Sequence, residues 1–306
     1  MAFSLKQIRY FVAAADTGQV SQAAVDLNVS QSAVTAAIKQ LEADLQTRLF
    51  DRHSNGVTLS YQGHRFLQHA RNILSAVDEA ARASQDARSD VAGSLLLGVT
   101  YTVAGYFLPS PLNRFQRSFP GVEVALREAP RSEIEQALIA GDLDLAVVLT
   151  SNLENVEHLV SETLIRSRRH LWLPLDHPLL HAERITLKEV AAEPYIMLTV
   201  DEAAHTAQRY WELTPHRPRV TFRTSSVEAV RSMVAGGMGV TVLSDMVYRP
   251  WSLEGQRIET RGLEDHVPSM DVGIAWRRGA RLPPAARAFL DYMSRTFNGA
   301  GSRVGD

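Results

Sequence analysis

The sequence predicts a multi-domain chain: an N-terminal winged helix-turn-helix, a long dimerisation helix, and then a two-lobed α/β domain. Three observations predict it. Ser21 to Leu45 reads as two short helices around a tight turn, residues 61 to 91 carry an unbroken heptad seam, and from Ser94 onward apolar strands alternate with short helices, twice over. The 306 residues leave room for roughly two or three domains of ordinary size. The boundaries expected are 1–60, 61–92 and 93–306, the last divided into lobe I (about 93–163 and 268–298) and lobe II (about 164–267).

Leu5, Ile8, Phe11, Val12 and Ala15 make residues 4 to 17 an amphipathic helix, and Gly18 stops it. Ser21 is the expected cap of a second helix with a small face of Ala23, Ala24 and Leu27. Asn28 and Val29 break the pattern. Ser30 then offers its hydroxyl to the free N–H groups of a third helix, in which Val34, Ile38, Leu41 and Leu45 recur at spacings of four, three and four. Gln31, Thr35 and Lys39 lie on another face with Ser32 beside them. Gln and Thr can read base edges, and Lys can neutralise a phosphate, so this capped polar row suits entry into a major groove. An ordinary helical hairpin with a solvated polar face fits the same stretch. Asn55–Gly56 tolerates positive φ at both positions and predicts a hairpin between Phe50 and Val57–Leu59, a wing, with Arg52 and His53 on its approach. Arg52 reads either as a phosphate contact or as a surface arginine without a partner.

Phe66, Ala70, Ile73, Val77, Ala80, Ser84, Ala87 and Val91 then alternate spacings of four and three, flanked by Leu67, Leu74 and Ala81. So long a seam has little neighbouring sequence to bury it and asks for a partner helix. Dimerisation through Phe66, Ala70, Ile73 and Val77 is the expectation, and packing on the C-terminal part of the same chain is the alternative.

Beyond Gly93, SLLLGVT is a buried strand, and a helical stretch runs through Phe107, Leu112, Phe115 and Phe119. VEVALRE is a strand, SEIEQALIAG a helix with Ser132 as cap and Glu135 at capping-box spacing, and LDLAVVL a strand. This β-α-β-α-β run predicts a parallel sheet. HLWLP, PYIML, RVTFRT and VTVLS are strands of a second set with helices HTAQRYWEL and SVEAVRSMVAGG. MDVGIAW and AARAFLDYMSRTF return the chain to the first set. The tail, residues 299–306, is expected to be disordered.

Ligands in such sheets bind outside the carboxyl ends of strands. Those ends carry Thr100, Tyr101 and Thr102, then Thr150 and Ser151, Thr199, and Thr224, Ser225 and Ser226. The set suits a small polar or anionic ligand, with Arg131 and His205 adding positive charge, although any single hydroxyl also reads as a helix cap. Chemistry for an enzyme is missing. His177 and His181 are separated by Pro178, no GxSxG elbow occurs, and Gly236 to Gly239 follows a helix instead of preceding one. No catalytic residue, metal site or cofactor is expected. Cysteine is absent, which excludes disulfides, thiol redox switches and cysteine metal sites. No signal peptide and no membrane-length apolar run is found, so a cytoplasmic location is expected.

With these residues in view the chain resembles the LysR-type transcriptional regulators over essentially its whole length. The resemblance rests on LKQIRYFVAAADTGQVSQAAVDLNVSQSAVTAAIKQLEADLQTRLFDR, then GVTLSYQG, LLLGV, FQRSFPGVEV, LDLAVV, DHPL, VRSMVAGGMGV and PAARAFLDYM. It implies an effector domain similar to periplasmic solute-binding proteins and a dimer of dimers. It also implies control of transcription from double-stranded DNA, tuned by a small-molecule effector between the lobes, with RNA polymerase as a further candidate partner. Carried onto this sequence, it starts the recognition helix at Ser30, Gln31 and Ser32, with Gln31 and Thr35 where the family contacts DNA and Arg52 where it contacts backbone; Lys39 of the polar row and Asn55 of the wing complete the candidate DNA contacts. The matching pocket positions are Thr100, Thr102, Arg131, Thr150, Thr199 and Ser226, and the strand-end Tyr101 joins them as a candidate. The sequence departs from the family pattern where Ser32 replaces a usual proline, Ala36 a frequent arginine and Asn55 a frequent basic wing residue.

One physical point bears on affinity. In the first 60 residues Lys6, Arg9, Lys39, Arg48 and Arg52 are matched by Asp16, Asp26, Glu42, Asp44 and Asp51. Counterion release scales with phosphates neutralised, so a single copy should bind weakly and linked copies should recover the affinity. A cytoplasmic solute-binding or sequestering protein with an N-terminal interaction module is the alternative function. Specific, salt-dependent binding to its own upstream DNA separates the two.

Overall fold

The computed structural model describes residues 3–53, 56–83 and 91–298, and the chain divides into two units, Met1–Arg88 and Ser89–Asp306. Expectations placed on Asn55, on Ser84 and Ala87, and on the tail at 299–306 fall outside the described residues.

In the first unit α1 (Leu5–Thr17) opens with a reciprocal capping box between Ser4 and Gln7 and closes at Gly18, whose φ of 67° a side chain would resist. Helix α2 spans Val20–Asp26. Its cap position is Gln19, which makes no side-chain capping bond, and Ser21 already lies inside the helix, so the expected Ser21 cap is corrected. Asn28 turns the chain with a φ of 54°, as its short polar side chain permits. Helix α3 (Gln31–Asp44) starts at the Ser30 cap and buries Val34, Ile38 and Leu41. Strands β1 (Phe50–His53) and β2 (Gly56–Leu59) pair antiparallel as the wing, and α4 covers Tyr61–Ala83. Gly63 is obligatory at the start of α4, because a Cβ there would stand 2.0 Å from the Leu49 carbonyl oxygen.

The first half of the heptad seam also packs within its own module. Ala70 is fully buried, and Phe66 and Ile73 pack against the same core as Ile8, Phe11, Val34 and Ile38. The Phe66 ring lies 5.2 Å from Phe11 and 5.9 Å from Phe3. So the winged module covers Ala70 and part of Phe66 and Ile73, because α1, distant in sequence, supplies a neighbour that the local reading lacked. Asp16 and Arg71 tie α1 to α4 with an ion pair of 2.5 Å.

The second unit runs β3 (Gly93–Val99), α5 (Tyr101–Tyr106), α6 (Pro109–Ser118), β4 (Val122–Glu128), α7 (Arg131–Ala140), β5 (Leu145–Leu149) and β6 (Leu159–Ser167). Next come β7 (Arg169–Pro174), α8 (Leu187–Ala192), β8 (Pro194–Leu198), α9 (Ala203–Glu212), β9 (Arg219–Thr224), α10 (Val227–Ala235), β10 (Thr241–Ser244) and β11 (Ile258–Arg261). Strand β12 (Met270–Arg277) and α11 (Pro284–Asn298) finish it. Lobe I is a five-stranded sheet in the order β4-β3-β5-β12-β6. β3 is parallel to β4 and β5, as the β-α-β pattern predicts, while β12 runs antiparallel to β5 and β6. Lobe II holds the antiparallel set β10-β7-β11 and the parallel pair β8-β9, linked by a bridge between Tyr195 and Val240.

Strands β6 and β11 were not expected. Both depend on partners far along the chain, β12 and β7. Because β6 runs to Ser167 in the lobe I sheet, the outward crossing falls between Ser167 and Arg169, and the return lies at Pro268–Ser269. Arg169 donates to the Ser269 carbonyl at 2.8 Å, which ties the two crossings together, and Ser244 of β10 donates to Ser167 at 2.7 Å. Among the described residues no helix is long and apolar enough to cross a membrane.

Candidate DNA interface and interlobe cleft

The outer face of α3 is built by its cap and its core. Ser30 Oγ accepts from the Ala33 N–H at 3.2 Å and lies 3.0 Å from Ser32 Oγ. Val34, Ile38 and Leu41 point into the core, which leaves Gln31, Ser32, Ala36 and Lys39 exposed and Thr35 half-buried. No acidic residue occupies the first turn, so the positive end of the helix stays open to an anion. The charge balance of the module is resolved by placement. Asp44 accepts from Gln40 at 2.9 Å, and Asp26 from Gln22 at 2.8 Å. Glu42 turns to the foot of the wing and accepts from the N–H groups of Leu49 at 2.8 Å and Phe50 at 3.1 Å. The acids of α3 thus sit at its far end, in local bonds, away from the Gln31–Lys39 row. Arg52 lies in β1 of the wing.

In the second unit the strand-end hydroxyls divide by what they already bond. Thr100 follows β3 at the cap position of α5 and is only 2% exposed. Its Oγ1 is buried with no hydrogen-bond partner among the described residues. Thr150 Oγ1 lies 3.4 Å from Thr163 Oγ1 and 3.3 Å from the Asp271 carbonyl. Ser226 caps α10 by accepting from Ala229 N at 3.2 Å, and the Thr199 N–H donates to the Thr224 carbonyl at 2.9 Å. Tyr101 and His205 are exposed.

Arg131, a candidate for positive charge at the cleft, lies in a web of carboxylates. It is 9% exposed and forms ion pairs with Glu135 at 2.8 Å, Glu154 at 2.9 Å and Glu202 at 3.1 Å. Glu135 does not complete a capping box, because α7 starts at Arg131 with Pro130 in the cap position. Its fully buried carboxylate instead receives Arg131, the Asn155 N–H at 2.9 Å and side-chain amide at 2.5 Å, and the Glu154 N–H at 3.2 Å. Burial alone would raise the Glu135 pKa. Arg131, then Asn155 and Glu154, outweigh it and hold the carboxyl below its ordinary value. Burial likewise opposes the charge on Arg131, and Glu135 and Glu202 reverse that, holding its pKa above the usual arginine value.

Contacts across the lobes centre on residues that the strand-end reading passed over. The Asp201 carboxylate accepts from the Thr102 N–H at 2.6 Å, and the Asp201 carbonyl accepts from Asn152 Nδ2 at 3.1 Å. Glu202 reaches Arg131 Nε at 3.1 Å. Further along, Tyr106 donates to Glu228 at 3.0 Å, and Glu228 is paired with Arg231, which also donates to the Val247 carbonyl at 2.8 Å. Asp201 and Glu202 adopt φ values of 48° and 57°, a left-handed conformation that disfavours an L residue by roughly 1–2 kcal/mol each. Only their place shortly after Thr199, beyond the end of β8, signals them in the sequence. Among the described residues no group of three or more His, Asp or Glu is placed to hold a metal ion.

The comparisons with known proteins cover both units. Residues 5–64 match the family model of the bacterial regulatory helix-turn-helix protein, lysR family, and residues 88–298 match the LysR substrate binding domain. The HTH-type transcriptional regulator YnfL of Escherichia coli (strain K12) is 31% identical over 302 residues, covering 96% of this chain and 98% of its own. The crystal structure of HinK, a LysR family transcriptional regulator from Pseudomonas aeruginosa, superposes with a TM-score of 0.63 at 27% identity, covering 97% of this chain and 99% of HinK. Full-length CbnR, solved in complex with its target DNA, has a TM-score of 0.55 at 21% identity, covering 96% and 99% of the two chains, and shares the fold.

Proposed function

The chain belongs to the LysR family of transcriptional regulators, and on that premise we propose how its own residues serve regulation. It is a DNA-binding regulator with an effector-binding domain, not an enzyme. The Gln31, Ser32, Thr35 and Lys39 face of α3 enters a major groove, with Gln31 and Thr35 at base edges and Lys39 on a phosphate. Arg52 and Asn55 meet the backbone from the wing. The observation that carries this reading is the capped, acid-free first turn of α3 with its polar row exposed. A small-molecule effector lies between the lobes, near Thr100, Thr102 and Thr150, and shifts the assembly between states with different affinity for DNA.

Self-association supplies the second copy that recognition requires. Phe66, Ala70 and Ile73 belong to the core of their own module, so Val77 and the seam beyond it carry the dimer contact. A dimer of dimers acting in the cytoplasm, with RNA polymerase as the downstream contact, completes the proposal. A gel-shift titration on the chain's own upstream DNA tests it. Affinity should fall steeply between about 50 and 200 mM salt, by the counterion-release slope. Binding that ignores both sequence and salt would remove the DNA reading. A melting-temperature screen of metabolites tests the effector, since a ligand that prefers the native state raises the transition.

A further inference from the structure

Lobe II reaches lobe I through two consecutive acidic residues held in a conformation that acidic side chains seldom adopt. Asp201 and Glu202 both have positive φ, and the turn aims their carboxylates at lobe I. One takes the Thr102 N–H at 2.6 Å, and the other takes Arg131 Nε at 3.1 Å. Asn152 fixes the same turn from below through the Asp201 carbonyl at 3.1 Å. A left-handed pair without glycine persists only where surrounding bonds determine it. The Ala203 N–H closes the turn within lobe II on the Val200 carbonyl, and the bonds to Thr102, Arg131 and Asn152 all run from lobe II to lobe I.

The chemistry of the contact narrows what it does. The Thr102 N–H and the Arg131 guanidinium are donors that a ligand with acceptor groups would use, and both are taken by the protein's own carboxylates. Glu135 and Glu154 occupy the rest of Arg131. Beside Thr102, the buried Thr100 hydroxyl has no partner among the described residues, so the segment that fills this end of the cleft does not satisfy every polar group there. An incoming molecule would therefore exchange one set of bonds for another and release the strained turn.

We propose that Asp201 and Glu202 form an intramolecular latch that holds the two lobes together without a bound ligand, and that opening the cleft requires their carboxylates to leave Thr102 and Arg131. Its regulatory meaning rests on the reading of the cleft as the effector site. The latch itself does not, and it is tested with no ligand present.

The full-length chain contains no cysteine, so Arg117→Cys on α6 and Leu213→Cys after α9 can be spin-labelled selectively and diluted with unlabelled chain to remove distances between copies. The wild type should give one narrow interlobe distance. Asp201→Gly removes the carboxylate and relieves the backbone, so the distance distribution should broaden and lengthen. Hydrogen exchange in peptides spanning Thr102 should speed by about ten- to a hundredfold, the range for losing a bond to a charged group. Protection of Leu97 and Val147 in the central strands reports that the variant is folded. Unchanged exchange at Thr102 with an unchanged distance distribution overturns the latch. Should Asp201→Gly fail to fold, Glu202→Gln decides by the same readings: a broadened distribution supports the latch, and wild-type behaviour overturns it. Failure of the metabolite screen bears only on the effector reading.

Discussion

Glu135→Gln removes one charge from the most deeply buried ionic cluster of the second unit while keeping the size of the side chain. The carboxylate is fully buried and receives Arg131, both nitrogens of Asn155 and the Glu154 N–H. Glutamine retains one carbonyl acceptor but turns an NH2 group toward donors that need an acceptor. Breaking a buried pair costs about 3–5 kcal/mol, and a single bond to a charged group is worth about 1.5–3 kcal/mol. Since Gln keeps part of the network, the expected loss is about 2–4 kcal/mol, or roughly 5–15 °C in the melting temperature of a unit of this size. The assay is thermal and urea unfolding of the full chain, following the transition of the second unit. The pH dependence has a definite sign. The folded Glu135 pKa is depressed, so its stabilisation is fully present above the unfolded carboxyl pKa of about 4.3. It erodes as pH falls below that value and disappears once pH falls through the folded pKa. Wild type and Glu135→Gln should therefore converge in acid. A variant within about 0.5 kcal/mol of wild type at neutral pH, a range usual for surface changes, or a gap that widens in acid, would refute the argument.

The remaining expectations concern the DNA module. Gln31→Ala should weaken specific binding by about 1–3 kcal/mol and relax preference at one base pair, whereas Lys39→Ala should weaken all sequences alike and lower the salt slope by about one; both are read from gel shifts across salt. Gly63→Ala should lower the melting temperature of the first unit, because the added Cβ would stand 2.0 Å from the Leu49 carbonyl oxygen, and an unchanged transition would show that the close approach is not real. Val77→Asp should abolish tight DNA binding and reduce the chain to monomers in sedimentation, with the first unit still folded. Ile73→Asp is the poorer probe, since Ile73 also packs on the core of its own module.

Much of the architecture follows from local pattern. The Ser30 cap, the Val34–Ile38–Leu41 stripe, the wing, and the parallel β3, β4 and β5 follow from periodicity and turn chemistry, because each is fixed by residues a few positions apart. The exposed row on α3 was legible for the same reason: burying one stripe of a helix presents the other. Strands β6 and β11 were not, because a strand with mixed polarity exists only by virtue of the partner it pairs with. Glu135 carried a capping-box spacing, and that local signal was wrong because Pro130 took the cap position and tertiary donors took the carboxylate.

By itself, then, the sequence determined the order of domains, the family and the polar face of α3, all properties of short-range spacing. Tertiary structure alone decided that Ala70 is buried and that Phe66 and Ile73 pack against the core of their own module, and that Glu42 turns to the foot of the wing. It also decided that Asp201 takes the Thr102 N–H and that Glu202 takes Arg131. The physical reason is distance along the chain. Thr102 and Asp201 stand 99 positions apart, so no periodicity links them, and only folding brings the amide of one lobe against the carboxylate of the other.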